Sequence, residues 1–175
     1  MCSALILPAI KSPRLTLRAP RISDARAIAR LCDDYAIPSM TTRMPWPYRG
    51  ADAEAFVEMI GDQDPDQENA FLMEHEGEVI GCIGLYMRGR YPEIGYWVGR
   101  PFWGRGFATE ATRAALKWAR EDWKKKVVVA GHFADNPASG VVLSKAGFLY
   151  TGEVELRHSL ARGEAVPTRM MVWIA

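Results

Sequence analysis

The sequence predicts an α/β domain with a mixed sheet of seven strands, and three stretches carry that prediction. Ile94–Val98 is a run of residues that are bulky except for Gly95, and it breaks at Gly99 and Pro101. After the break, Ala108, Ala111, Ala115, Trp118 and Ala119 recur at three- and four-residue steps, the period of one helix face. Val127–Ala130 then forms a short apolar run of the kind a strand shows when both its faces are covered, so strand, helix and strand make one parallel crossover. Antiparallel members come from Ala70–His75 with Glu78–Met87 around Glu76-Gly77, and from Phe148–Arg157 with Val166–Ile174.

The chain is expected to form a single domain over residues 1–175, with its core in about 14–174. At 175 residues it can bury roughly 70% of the surface its unfolded form exposes. A net charge of +1 gives no electrostatic case for nucleic acid or membrane as a partner. No apolar run approaches the roughly 20 residues a membrane helix needs. Met1-Cys2-Ser3-Ala4-Leu5 lacks the charged start of a signal peptide, and three cysteines without a C-x-x-C spacing argue for a reducing compartment and against zinc. A cytoplasmic, metal-free protein is expected, as monomer or homodimer.

The remaining elements follow in order. Arg14-Leu15-Thr16-Leu17-Arg18 alternates polar and apolar, which is a half-buried strand. Ser23-Asp24 offers N-cap chemistry for a helix carrying Ala25, Ile28, Ala29 and Leu31. Residues 37–50 are a loop rich in proline and aromatics, with Trp46 and Tyr48 beside Pro45 and Pro47. Ala51–Ile60 reads as a second helix, and 61–66 as an acidic turn. On the central strand Glu93, Gly95, Trp97 and Gly99 share one face, and Ile94, Tyr96 and Val98 the other. Glu93 is therefore either a proton acceptor facing a cleft or a carboxylate paired with Arg88 or Arg90. Lys124-Lys125-Lys126 closes the long helix as a solvated, dipole-matched end. Asn136-Pro137 is an N-cap followed by an N1 proline, and Gly147 suits the turn after that fourth helix. His132 reads as a structural residue, His75 and His158 as surface histidines, and neither Cys32 nor Cys82 has the setting of a nucleophile.

Gly104 and Gly106 stand between the central strand and the long helix. Two glycines leave backbone N–H groups uncovered, and a helix start adds unpaired N–H groups and a positive dipole end, so the loop suits a phosphate-like anion. A P-loop is excluded by the glycine spacing and the missing lysine. A dinucleotide fingerprint is disfavoured because Thr109 replaces its third glycine, with Lys124–Lys126 near the place of its acid.

Trp103-Gly104-Arg105-Gly106-Phe107-Ala108 resembles the Gln/Arg-x-x-Gly-x-Gly/Ala loop of the GNAT superfamily of acetyl-coenzyme A-dependent N-acetyltransferases, with Trp103 in place of Gln or Arg. Glu93-Ile94-Gly95-Tyr96-Trp97, Ala108-Thr109-Glu110-Ala111, Arg14-Leu15-x-Leu17-Arg18-Ala19-Pro20 and Asn136-Pro137-Ala138-Ser139-Gly140 resemble the RimJ/RimL branch, which acetylates ribosomal-protein N-termini. The resemblance implies a sheet with a splayed central strand pair, about four helices, and acetyl-coenzyme A as cosubstrate. It places the cofactor on Trp103, Gly104, Arg105, Gly106, Phe107, Ala108 and Thr109, on Trp97 and Val98 of the strand, and on Asn136. It makes Glu93 the proton acceptor, Ser139 the group supporting the departing thiolate, and the Trp46–Tyr48 loop a wall for the acceptor. The implied reaction is direct attack of a primary amine, either a protein N-terminus or a small molecule. Each assignment has a plainer counterpart: Asn136 and Ser139 as helix-start residues, and Trp46 as simple loop packing. A non-catalytic module that binds acyl-coenzyme A is the rival reading, since Trp103 departs from the pattern.

Overall fold

The computed structural model describes residues 9–175 of the chain, so the start of the sequence, Met1–Leu5 included, lies outside the described residues. The elements run β1 (Ile10–Lys11), β2 (Thr16–Arg18), α1 (Ala25–Cys32), α2 (Gly50–Gly61), β3 (Glu68–His75), β4 (Glu78–Arg88), β5 (Tyr91–Val98), α3 (Phe107–Glu121), β6 (Val127–Phe133), α4 (Pro137–Lys145), β7 (Leu149–Ser159) and β8 (Glu164–Ile174). The sheet has eight strands where the sequence predicts seven. The addition is β1, two residues that pair with Leu17 and Thr16 of β2 and are too short to show a period.

The strand order is β1-β2-β3-β4-β5-β6-β8-β7. The β5–β6 pair is parallel and every other neighbouring pair antiparallel. The β3–β4 hairpin closes as expected at Glu76-Gly77, with φ of 50° and 81°. Two left-handed residues match the right-handed twist of the flanking strands. Central strand β5 begins at Tyr91, three residues before the expected Ile94, because Pro92 is tolerated within it opposite Met87. Helix α3 stops at Glu121, and Trp123 folds back to stack on Trp118 with ring centroids 5.7 Å apart.

Alternation along the strands feeds two apolar layers. On one face Phe71, Ile83, Leu85 and Ile94 meet Phe107, Ala111, Ala115 and Trp118 of α3 and Leu143 of α4. Alanines on the inner face of α3 allow its backbone to approach the sheet, and full burial of a side chain such as Phe107 contributes about 2–3 kcal/mol. On the other face Leu72, Val79 and Cys82 meet Ile28, Leu31 and Cys32 of α1 and Ala53 and Val57 of α2.

Pairing between β5 and β6 is confined to Glu93 with Val129 and Ile94 with Ala130. Beyond that point β5 stays on β4 as far as Val98, and β6 stays on β8 as far as Phe133. The two central strands therefore part from Gly95 and Gly131 onward and open a gap through the middle of the sheet.

Asp24 sits at the expected N-cap position of α1, but its side chain does not cap that helix. Both of its oxygens take the Arg18 guanidinium, at 2.8 and 2.9 Å, and one also accepts the Arg21 N–H at 2.7 Å. Arg18 reaches on to Glu74 at 2.6 Å and so ties β2, the start of α1 and the end of β3 together. Burial pushes the Asp24 carboxyl up, but the Arg18 and Arg21 hydrogen bonds outweigh it and hold the group below its ordinary value. A depressed carboxyl contributes stability above its unfolded pKa of about 3.9, and loses that contribution as pH falls through the folded value. Asp24→Asn should cost on the order of 2–4 kcal/mol at neutral pH by leaving Arg18 half paired. The stability difference between the two proteins in denaturant melts should narrow as pH falls from 7 to 3. A constant difference across that range would show that the ion pair is not the source of the stability.

Candidate active site

A cleft of about 1170 Å³ passes through the gap between β5 and β6. Gly104, Gly106, Asn136 and Ser139 line it on the α3/α4 side, and Tyr48, Phe56, Tyr86, Glu93 and Arg157 line it on the α1/α2 side.

The glycine loop forms the first wall. Gly104 and Gly106 have φ of 73° and 81°, a left-handed conformation that glycine adopts at little cost. Gly106 is the N-cap of α3, and the first helical bond runs from the Glu110 N–H to the Gly106 carbonyl at 3.0 Å. The N–H groups of Phe107, Ala108 and Thr109 thus lie ahead of the helical ladder. Those of Gly104, Arg105 and Gly106 donate to no protein group among the described residues. A Cβ built on Gly104 would meet nothing within 4 Å, so the space above the loop is open. The result is a concave array of N–H donors at the positive end of a helix, the chemistry that fits a pyrophosphate.

The loop is braced from below. Glu110 accepts from Ser12 Oγ at 2.6 Å, Arg14 N–H at 2.8 Å and Arg14 Nε at 2.7 Å. Arg14 Nη1 donates in turn to the Arg105 carbonyl at 2.8 Å. Burial pushes the Glu110 carboxyl up, but Ser12 and Arg14 prevail and keep it ionised below its usual range. His75, expected at the surface, instead accepts a role under the loop: its Nδ1 lies 3.0 Å from the Arg14 carbonyl and its ring 4.6 Å from that of Phe107. Trp103 lines the same cleft, donates its indole Nε1 to the Val98 carbonyl at 2.6 Å, and lies 5.2 Å from the Arg100 guanidinium.

The free edge of β5 forms the second wall. Gly99 N–H donates to Ile80 of β4 at 2.8 Å, and bonded residues alternate along an antiparallel ladder. Trp97 therefore directs its N–H to β4 and presents its side chain to the cleft, while Tyr96 and Val98 direct theirs to the gap.

Across the gap, Asn136 Oδ1 accepts the Ser139 N–H at 3.3 Å and caps α4. Ser139 Oγ lies 2.7 Å from the Tyr96 hydroxyl, which is also 3.2 Å from the Ser139 carbonyl. Burial pushes the Tyr96 phenol well above its usual range, so it is a neutral hydroxyl at physiological pH. Tyr96 is absent from the predicted site because strand alternation assigns it to the core face. Its ring does pack there, but the hydroxyl reaches past the core and spans the opening.

Glu93 is 4% exposed at the closed end of the gap. Arg157 contacts both of its oxygens, one at 3.1 Å, and Arg88 Nη1 donates to it at 3.0 Å. Each arginine also binds Glu155 at 3.0 Å, which closes a ring of two acids and two bases. Burial raises the Glu93 carboxyl above its ordinary value, against the Tyr86 hydroxyl and Arg88, which favour the ionised form. Arg90 lies instead over the Tyr91 ring. Arg157 is 64 residues from Glu93, a distance no local reading can bridge.

On the α1/α2 side Tyr48 is buried and lines the cleft, whereas Trp46 packs edge-on to Tyr35 at 5.4 Å and is not among the lining residues. The β7–β8 turn joins this wall: Ser159 Oγ, Leu160 N–H and Arg162 Nε donate to the carbonyls of Thr41, Thr42 and Ser39 at 3.1, 3.0 and 2.6 Å. His132 is buried between the Phe133 carbonyl and the Tyr150 hydroxyl, which lie 2.9 Å from its Nδ1 and Nε2 respectively. Cys82 also lines the cleft, but burial pushes its thiol up to about 12, which leaves no thiolate to act as a nucleophile.

Residues 14–149 match the acetyltransferase (GNAT) domain, and the chain belongs to that family. It is 32% identical over 148 residues to the uncharacterized N-acetyltransferase p20 of Bacillus licheniformis, across 79% of this chain and 81% of the relative. Mycobacterium smegmatis RimJ in complex with CoA-disulfide has the same fold, with a TM-score of 0.84 and 22% identity over 96% of this chain and 88% of that one. So does the microcin C7 self-immunity acetyltransferase MccE in complex with acetyl-CoA and AMP, with a TM-score of 0.83 and 20% identity over 98% and 99% of the two chains. Among the described residues, no helix is long and apolar enough to cross a membrane.

Proposed function

We propose that this protein transfers an acetyl group from acetyl-coenzyme A to a primary amine by direct attack. The observation that carries the proposal is a single cleft joining the N–H array of Gly104–Thr109, the Ser139–Tyr96 hydroxyl pair and the Glu93 carboxyl through the parted strands. Acetyl-coenzyme A supplies the acetyl group already activated as a thioester, so the protein's work is to bind, orient and move protons. Gly104–Thr109 hold the pyrophosphate. The Val98 N–H, turned into the gap, polarises a carbonyl brought alongside β5. When Tyr96 donates to Ser139 Oγ, the serine hydroxyl proton is left to point into the cleft, where it stabilises a departing sulfur. Glu93, its basicity raised by burial, takes the proton of the amine through water. An α-amino group titrates near 8 and a lysine near 10.4, so a peptide N-terminus or a comparable small amine sheds that proton at the lower cost.

Three measurements test these roles. Gly104→Val and Gly106→Val should each weaken coenzyme A binding by about tenfold or more, because a β-branched side chain resists the left-handed backbone and covers the donors. Calorimetric affinities unchanged in both variants would remove the loop from the site.

Ser139→Ala should lower turnover by roughly tenfold to a hundredfold with little change in coenzyme A affinity, since the hydroxyl acts mainly as the thioester breaks. Tyr96→Phe should show a smaller loss of the same kind. Normal turnover with a lowered melting temperature would leave Ser139 as a helix-start residue alone.

With Glu93 as base, wild-type activity should rise with pH through an apparent pKa above the usual carboxylate value of about 4.3. Glu93→Gln should be most deficient near neutral pH and recover as the amine deprotonates unaided. Parallel pH profiles, with a lower melting temperature, would instead make Glu93 a clamp for Arg157.

A further inference from the structure

The acceptor side of the cleft carries three carboxylates: Glu68 and Glu93 are paired with arginines, and Asp52 accepts a backbone N–H at a helix start. Asp52 accepts the Arg49 N–H at 2.7 Å at the start of α2. Glu68 takes Arg43 Nη2 at 3.0 Å. Glu93 is held by Arg157 and Arg88. The Arg43 guanidinium also lies 4.6 Å from the Tyr86 ring centroid, so the aromatic face at the base of the groove is occupied by a cation as well. What remains open is apolar and adaptable: Met40, Met44, Met59 and Phe56 line the groove. Thioether side chains fill irregular shapes without demanding one. The floor is bare at Gly84 and Gly95, which face each other across β4 and β5, and a Cβ built on Gly95 would meet nothing within 4 Å.

We infer that the acceptor is a single primary amine carried on an apolar body, and that the groove discriminates against acceptors bearing a second cation. The inference rests on the acetyltransferase reading above for which end of the cleft takes the acceptor. Away from Asp52, whose charge the start of α2 partly offsets, a second ammonium entering this groove would either displace an arginine from its carboxylate or sit unpaired against methionine and phenylalanine, and displacing Arg157 or Arg88 from buried Glu93 is costly. A lone amine avoids both outcomes. It enters the narrow, glycine-floored part of the cleft while its apolar body replaces water on the methionine wall.

The test compares phenylalaninamide, one amine on an aromatic body, with spermidine, a flexible polyamine. Calorimetric titration of the full chain reads the groove without relying on acetyl transfer, and turnover with acetyl-coenzyme A reads the reaction. Phenylalaninamide should bind tighter by about tenfold or more and show a correspondingly higher kcat/KM. Spermidine binding equally or better would overturn the inference, and so would binding of neither amine. Arg43 is 60% exposed at its side chain, so Arg43→Gln should fold, uncover Glu68, and shift the selectivity ratio toward spermidine by about tenfold. An unchanged ratio would show that the paired charges do not set the preference. Titration with acetyl-coenzyme A alone addresses the underlying reading: its failure beside normal amine binding would strike the acetyltransferase assignment, and the amine comparison would still decide the groove.

Discussion

Two residues of parallel pairing, at Glu93 and Ile94, are the only backbone ladder between the halves of the central sheet among the described residues, and the rest of the molecule depends on that brevity. A longer ladder would spend the N–H groups of Tyr96 and Val98 on β6 and fill the gap with backbone. A shorter one would leave the halves without a hinge point. Each strand follows its outer neighbour once the pairing ends, so the opening is held by β4 on one side and β8 on the other. The Tyr96 hydroxyl then spans the opening to Ser139, and Glu93 closes its narrow end.

Charge in this protein works mostly as internal bracing. Arg14 and Glu110 fix the underside of the glycine loop, Arg18 joins Asp24 to Glu74, and the ring of Arg157, Glu93, Arg88 and Glu155 ties β5 to β7. Most of these groups are half-buried or better, where one partner without the other leaves a poorly solvated charge. That arrangement keeps the backbone N–H array in place, and a preorganised donor needs no reorganisation when its ligand arrives.

Most of the fold is legible in the sequence because its signals are local. Helical spacing in α3, the Glu76-Gly77 turn and the Asn136-Pro137 start are each set within a few residues. The glycine loop is legible for the same reason, since Gly104 and Gly106 announce a backbone shape rather than a contact. The unread features are contacts made across the chain. Arg157 meets Glu93 from the far hairpin, Arg14 reaches α3 from the first strands, and Ser159 to Arg162 join the 39–42 loop from the last turn. Strand alternation places the Tyr96 ring correctly but not the hydroxyl, which extends beyond the layer that its ring occupies. Asp24 shows a competition that letters cannot settle: a helix cap and an arginine fork both want the same carboxylate, and the fork takes both oxygens.

The hydrogen-bonded seam between the 39–42 loop and the β7–β8 turn joins segments 118 residues apart, and neither segment touches the bracing of the glycine loop. The glycine loop is braced by residues near 12–15, 75 and 98–110, the opposite wall is drawn largely from residues near 37–59 and 155–168, and β3 and β5 run between them. Insertions, deletions and side-chain changes along the seam can therefore accumulate without disturbing the N–H array of the glycine loop. Such a molecule is free to reshape one wall of its cleft while the other keeps its form.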